Sequence, residues 1–181
     1  MPFAAALSQH PLATHAVGEV VGQVLETIGP APDLAVLFVT GGFAGATEDI
    51  AGAVRELLRP RSLLGATASS VLAGSNEVED QAAIALFAAS WPGEVEPGAI
   101  RTVRLTATTE GDGVRIRGTR DLADDGTTLI LLADPFTFPV DHFVTGLAER
   151  HPGLTVVGAL AARRRWSRSV AHRFRRRHRQ G

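Results

Sequence analysis

From Thr14 the apolar residues Val17, Val20, Val21, Val24, Leu25 and Ile28 recur three and four positions apart, and Gly29-Pro30 ends the run. That spacing predicts an amphipathic helix with its stop signal. Residues 34–39 are uninterruptedly apolar, too short for a helix and followed by glycines, as expected of a strand buried on both faces. Thr47, in a capping position, opens a second helical pattern through Ile50, Val54, Leu57 and Leu58 that stops at Pro60, and 62–68 reads as another buried strand. The stretch 34–68 is therefore a β-loop-α-β unit, predicted to be a crossover between parallel strands.

Beyond it the pattern is less regular. Residues 71–77 read as a turn region, 82–89 as an apolar strand closed by Trp91-Pro92-Gly93, and 100–107 as a half-buried strand. The polar, glycine-containing stretch 108–125 is expected to be irregular. A buried strand over 127–133 ends at Asp134-Pro135. Val140, Phe143, Val144 and Leu147 then predict a helix over 140–150, His151-Pro152-Gly153 breaks it, and 154–160 is the next strand. Strands alternating with helices, plus one run of successive strands, place the chain in the α/β class, with a mixed sheet covered by helices.

Charge divides the 181 residues into two parts. Lysine is absent, and nine of the eighteen arginines follow Ala162, among them Arg163, Arg164, Arg165, Arg175, Arg176 and Arg177, whereas all nineteen acidic residues precede it. The body is thus about −10 and the end of the chain about +9, which marks 163–181 as a segment separate from the domain over 1–162. Disorder is expected there, since few apolar residues besides Trp166, Val170 and Phe174 are available for packing. An out-of-frame stretch of GC-rich coding sequence is the origin expected for it. Arg175-Arg176-Arg177 would point to all sides of a helix, so specific nucleic-acid binding is not expected. With no cysteine, disulfides, thiolate metal sites and cysteine nucleophiles are excluded. The N-terminus lacks the basic and long apolar regions of a secretory signal and no window reaches the length of a membrane span, so a cytoplasmic location without membrane partners is expected.

Leu63-Leu64-Gly65-Ala66-Thr67-Ala68-Ser69-Ser70 and the acidic turn and apolar strand Asn76-Glu77-Val78-Glu79-Asp80-Gln81-Ala82-Ala83-Ile84-Ala85-Leu86 resemble the N-terminal portion of the FIST family. The strand and aromatic-proline loop Leu131-Leu132-Ala133-Asp134-Pro135-Phe136-Thr137-Phe138-Pro139 resembles a second family segment, and 34–39 the first strand. The resemblance extends over roughly residues 5–160. It implies the N-terminal part of a larger two-part bacterial protein, an intracellular sensory domain that binds a small polar ligand, with amino acids as candidates, and signals to an output protein. The family's glycine-rich continuation is replaced here by the arginine-rich segment.

Several residues are candidates for chemistry. Gly41, Gly42 and Gly45, between a strand and a helix, would expose backbone N–H groups to an anion, or simply make a tight turn. A P-loop is excluded because it needs a lysine, and no acidic residue ends the next strand as a dinucleotide fingerprint requires. Thr67, Ser69 and Ser70 sit at the carboxyl end of the strand over 62–68, at the edge where open α/β sheets hold ligands; turn-forming hydrogen bonds are their other use. Asp134 and Phe136, with Phe138, would supply a polar anchor and an apolar wall, or a turn and core aromatics. Glu77, Glu79 and Asp80 form either a cation-binding or a solvated turn. The six histidines show no metal-ligand spacing, and neither cofactor nor catalysis is expected; an enzyme acting on a small polar substrate through Asp134, His142 or Ser70 is the alternative. The three candidate segments all follow buried strands. One shared pocket at one sheet edge is the resulting expectation.

Overall fold

Ahead of the first predicted helix, Phe3–Ser8 forms strand β1, followed by α1 (Ala13–Ile28), β2 (Leu34–Thr40), a 3-10 helix (Gly41–Ala46), α2 (Thr47–Leu58) and β3 (Ser62–Ala68). A hairpin, β4 (Ser70–Ala73) and β5 (Asn76–Glu79), leads to β6 (Ile84–Ala89). The computed structural model describes residues 2–93, 95–96, 99–111, 113–119, 122, 127–161 and 170–175. These fall into two compact units, the first holding the described residues up to Glu96 and the second those from Ala99 onward.

The first unit is built on a mixed sheet in the order β1-β6-β2-β3. β2 and β3 are parallel, as the crossover pattern predicts, and β6 runs antiparallel between β1 and β2. Alternation along each strand sends Ala4 and Ala6, Ile84, Leu86 and Ala88, and Ala35, Leu37 and Val39 to one face, where they pack with Val17, Val20 and Val24 of α1 and Ile50, Val54 and Leu58 of α2. The opposite face is partly covered by the β4–β5 hairpin, whose Val71 and Val78 meet Ala83, Ala85, Leu7 and Phe38. The predicted turn region 71–77 is thus two short strands joined at Gly74 (φ 61°) and Ser75. Val71 and Val78 are the only apolar positions that alternation buries in so short a hairpin, so the pattern is too brief to register.

In the second unit β7 (Ile100–Arg104) is followed by a hairpin of β8 (Thr106–Glu110) and β9 (Gly113–Arg117), then β10 (Thr127–Ala133), α3 (Val140–Arg150), β11 (Thr155–Leu160) and β12 (Val170–Arg175). Its sheet has the order β11-β10-β12-β7, with β10 and β11 parallel and β12 antiparallel to both neighbours. Phe143 and Leu147 of α3 pack with Leu129, Leu131 and Ala133 of β10, and Phe138 meets Phe143 edge to face at 5.3 Å. One expectation changes here. The stretch expected to be irregular contains the β8–β9 hairpin, closed by Glu110 and Arg115 at 2.6 Å. Within the arginine-rich segment, Val170–Arg175 forms β12. The rest of that segment, 163–169 and 176–181, lies outside the described residues.

Candidate functional site

β1, β2 and β3 all run in the same direction, because β6 lies antiparallel to both β1 and β2. Their carboxyl ends therefore share one edge of the first sheet. Three connections leave that edge: residues 9–12 after β1, the 3-10 helix after β2, and Ser69 between β3 and β4. The segment 80–83 enters β6 at the same edge. It is the position at which open α/β sheets hold ligands.

Thr40 pins this edge together. Its hydroxyl donates to the Gln81 carbonyl at 2.6 Å and accepts the Ala83 N–H at 2.8 Å, while its own N–H donates to the Ala83 carbonyl at 3.0 Å. The entry to β6 is so fastened to the exit of β2. Gly42 then passes so close to Ala82 that an added Cβ would lie 2.7 Å from the Ala82 Cβ and 2.9 Å from its Cα, so packing demands glycine there. Gly41 and Gly45 face open space. Phe43 between them is buried in the core and anchors the 3-10 turn. Thr47 does not cap α2: it is the first helical residue, and its hydroxyl donates back to the Ala44 carbonyl at 2.9 Å. Glu48 and Asp49 in the first turn offset the positive end of the helix dipole, which disfavours an anion at that terminus.

Thr67 is buried and engaged, Ser69 is exposed and Ser70, half-buried, begins β4. Among the described residues the hydroxyls of Ser69 and Ser70 make no hydrogen bond, so both are available to a polar ligand. A further group at this edge was not singled out by sequence spacing. The buried Ser8 hydroxyl donates to the Glu19 carboxylate at 2.5 Å and accepts the His10 N–H at 3.1 Å, His10 Nδ1 accepts the Leu12 N–H, and the rings of His10 and His15 stack at 4.6 Å. Only the return of α1 over β1 brings Glu19 to Ser8, eleven positions away.

Asp134 and Phe136 follow β10, which belongs to the second sheet and the second unit. Gly41, Gly42, Gly45, Thr67, Ser69 and Ser70 belong instead to strands and connections of the first unit. A strand's sequence shows that it is buried, but not which sheet it joins. Asp134 organises its own turn: Oδ1 accepts the Phe136 N–H at 2.9 Å and Oδ2 the Thr137 hydroxyl at 3.1 Å. Phe136 is exposed, whereas Phe138 is a core residue. Glu77 and Glu79 lie on the exposed side of β5, with Val78 buried between them. Among the described residues no three His, Cys, Asp or Glu side chains are grouped to hold a metal ion, and no helix is long and apolar enough to cross a membrane.

Comparison with known proteins adds a family. A family model described as the FIST N domain matches residues 33–178, a range that starts later than the resemblance noted above and takes in most of the arginine-rich segment. An uncharacterized protein of Mycobacterium bovis and one of Mycobacterium tuberculosis are each 32% identical over 153 residues, covering 84% of this chain and 38% of the relative. A second Mycobacterium tuberculosis protein, also uncharacterized, is 30% identical over 163 residues, covering 90% of this chain and 41% of its own length. The chain thus spans about two fifths of the length of these relatives.

Proposed function

The chain belongs to the FIST family, whose domain serves as a sensory module for small ligands in signalling proteins, and from that premise we propose that the carboxyl edge of the first sheet is its ligand site. The ligand is a small polar metabolite of the amino-acid class, held without chemical conversion in the cytoplasm, and its binding is passed to an output protein. One observation carries this reading: three connections leave the parallel strands β1, β2 and β3 at a single edge, and among the described residues the Ser69 and Ser70 hydroxyls there are unengaged. Gly41, Gly45 and Thr67 border the same edge. Asp134 and Phe136 are assigned to a binding role only if their variants alter affinity.

Chemistry supports a reading without conversion. A hydroxyl nucleophile needs an adjacent base, and among the described residues neither Ser69 nor Ser70 has one as a hydrogen-bond partner. Isothermal titration of the full chain with a panel of amino acids and related polar metabolites is the test. Saturable, stoichiometric heat, weakened about tenfold or more when Ser69→Ala and Ser70→Ala remove both hydroxyls, is the expected result, since each lost bond contributes about 0.5–1.5 kcal/mol. Binding that survives the double variant unchanged refutes the site. Recovery of an altered ligand by mass spectrometry refutes the non-catalytic reading.

A further inference from the structure

β1 stands at one end of the first sheet, paired on its inner side with β6 and, among the described residues, with no strand on its outer side. The bond from the Ser90 N–H to the Pro2 carbonyl, 3.0 Å, sets the phase of the ladder. Bonded and non-bonded pairs alternate along an antiparallel pair. Ala4, Ala6 and Ser8 therefore exchange bonds with Ala88, Leu86 and Ile84, and the N–H and C=O groups of Phe3, Ala5 and Leu7 face outward.

Edges of this kind are normally blunted by a charged side chain, an internal proline or a bulge. None is present between Phe3 and Ser8. Phe3 is 61% exposed and stacks on the part-exposed Phe87, with ring centroids 6.2 Å apart, so an apolar patch accompanies the open backbone.

We infer that β1 is the docking edge for a second copy of this chain, pairing antiparallel with its own counterpart to make one continuous sheet. The strand is self-complementary in that register. Turning it about Ala5 sets Phe3 opposite Leu7 of the second copy and Ala5 opposite Ala5, so the outward groups of residues 3, 5 and 7 meet those of 7, 5 and 3. About six main-chain hydrogen bonds form. Phe3 gains Leu7 of the second copy as an apolar neighbour on the face that already carries Phe87, and no like charges meet across the pair. The contact is isologous and closes at two copies.

Sedimentation equilibrium of the full chain from low to high micromolar concentration tests the inference. A reversible monomer–dimer equilibrium is expected. Ala5→Pro removes an outward N–H while sparing the bonds to β6, since an edge strand tolerates proline on its open side. Ala5→Lys places two like charges opposite each other at the two-fold axis. Each variant is expected to weaken dimerisation at least tenfold with an unchanged far-ultraviolet circular dichroism spectrum, and Ala5→Lys serves if Ala5→Pro fails to fold. A wild-type chain that stays monomeric throughout, or self-association that both folded variants retain, overturns the inference, the second outcome placing the contact on another surface.

Discussion

Replacing Thr40 separates the contribution of a hydroxyl from that of the volume around it. Thr40 is 1% exposed and Ala83 is wholly buried. Thr40→Val keeps the shape but leaves the Ala83 N–H without its acceptor and the Gln81 carbonyl without its donor. A buried donor left unsatisfied costs about 1–3 kcal/mol. The Gln81 carbonyl belongs to an exposed residue that water reaches, so its loss is nearer the net value of an ordinary bond, about 1 kcal/mol. The expected destabilisation is then about 2–4 kcal/mol. Thr40→Ser keeps the hydroxyl and removes one buried methyl, costing about 1 kcal/mol. Urea unfolding followed by far-ultraviolet circular dichroism gives the order wild type, Thr40→Ser, Thr40→Val. The valine variant's midpoint should fall by about 1 M or more. Amide exchange at Ala83 should accelerate in the valine variant alone. A valine variant as stable as the serine variant refutes the view that this hydroxyl fastens β6 to β2.

Three further outcomes are expected. Asp33→Ala should cost about 1–3 kcal/mol in the same assay, because its buried carboxylate accepts the Trp91 N–H at 2.8 Å; Arg61→Ala, which removes only the 57%-exposed partner at 3.4 Å, should stay within about 1 kcal/mol, and the reverse order would show that the ion pair rather than the Trp91 bond matters. Gly42→Ala should lower stability by about 1–3 kcal/mol through overpacking against Ala82, and an unchanged urea midpoint would show that the 3-10 turn yields freely. Phe143→Ala, at a fully buried position beside Phe138, should cost about 3–5 kcal/mol, which a loss below about 1 kcal/mol on thermal or urea unfolding would contradict.

The hydrophobic pattern by itself determined α1, β2, α2, β3, β10 and α3, because each buries apolar residues in a recognisable run or interval and ends in a glycine, proline or polar stop; β11 was legible as an apolar run after a helix stop, although most of its residues are exposed. It determined less where a strand buries few side chains. β1 is half alanine, β4 and β5 have four residues each, and the β8–β9 hairpin is largely exposed, so none carries enough apolar contrast to stand out. The candidate site divides the same way. Gly41, Thr67 and Ser70 were legible as residues at the carboxyl ends of buried strands. That they share an edge depends on the antiparallel insertion of β6 between β1 and β2, and that Asp134 and Phe136 follow a strand of another sheet depends on the partners of β10. Strand pairing is made by backbone groups that every residue possesses, so partner choice leaves little trace in side-chain pattern. Only the tertiary structure decided it, and with it the meeting of Ser8 with Glu19 and of Thr40 with Ala83.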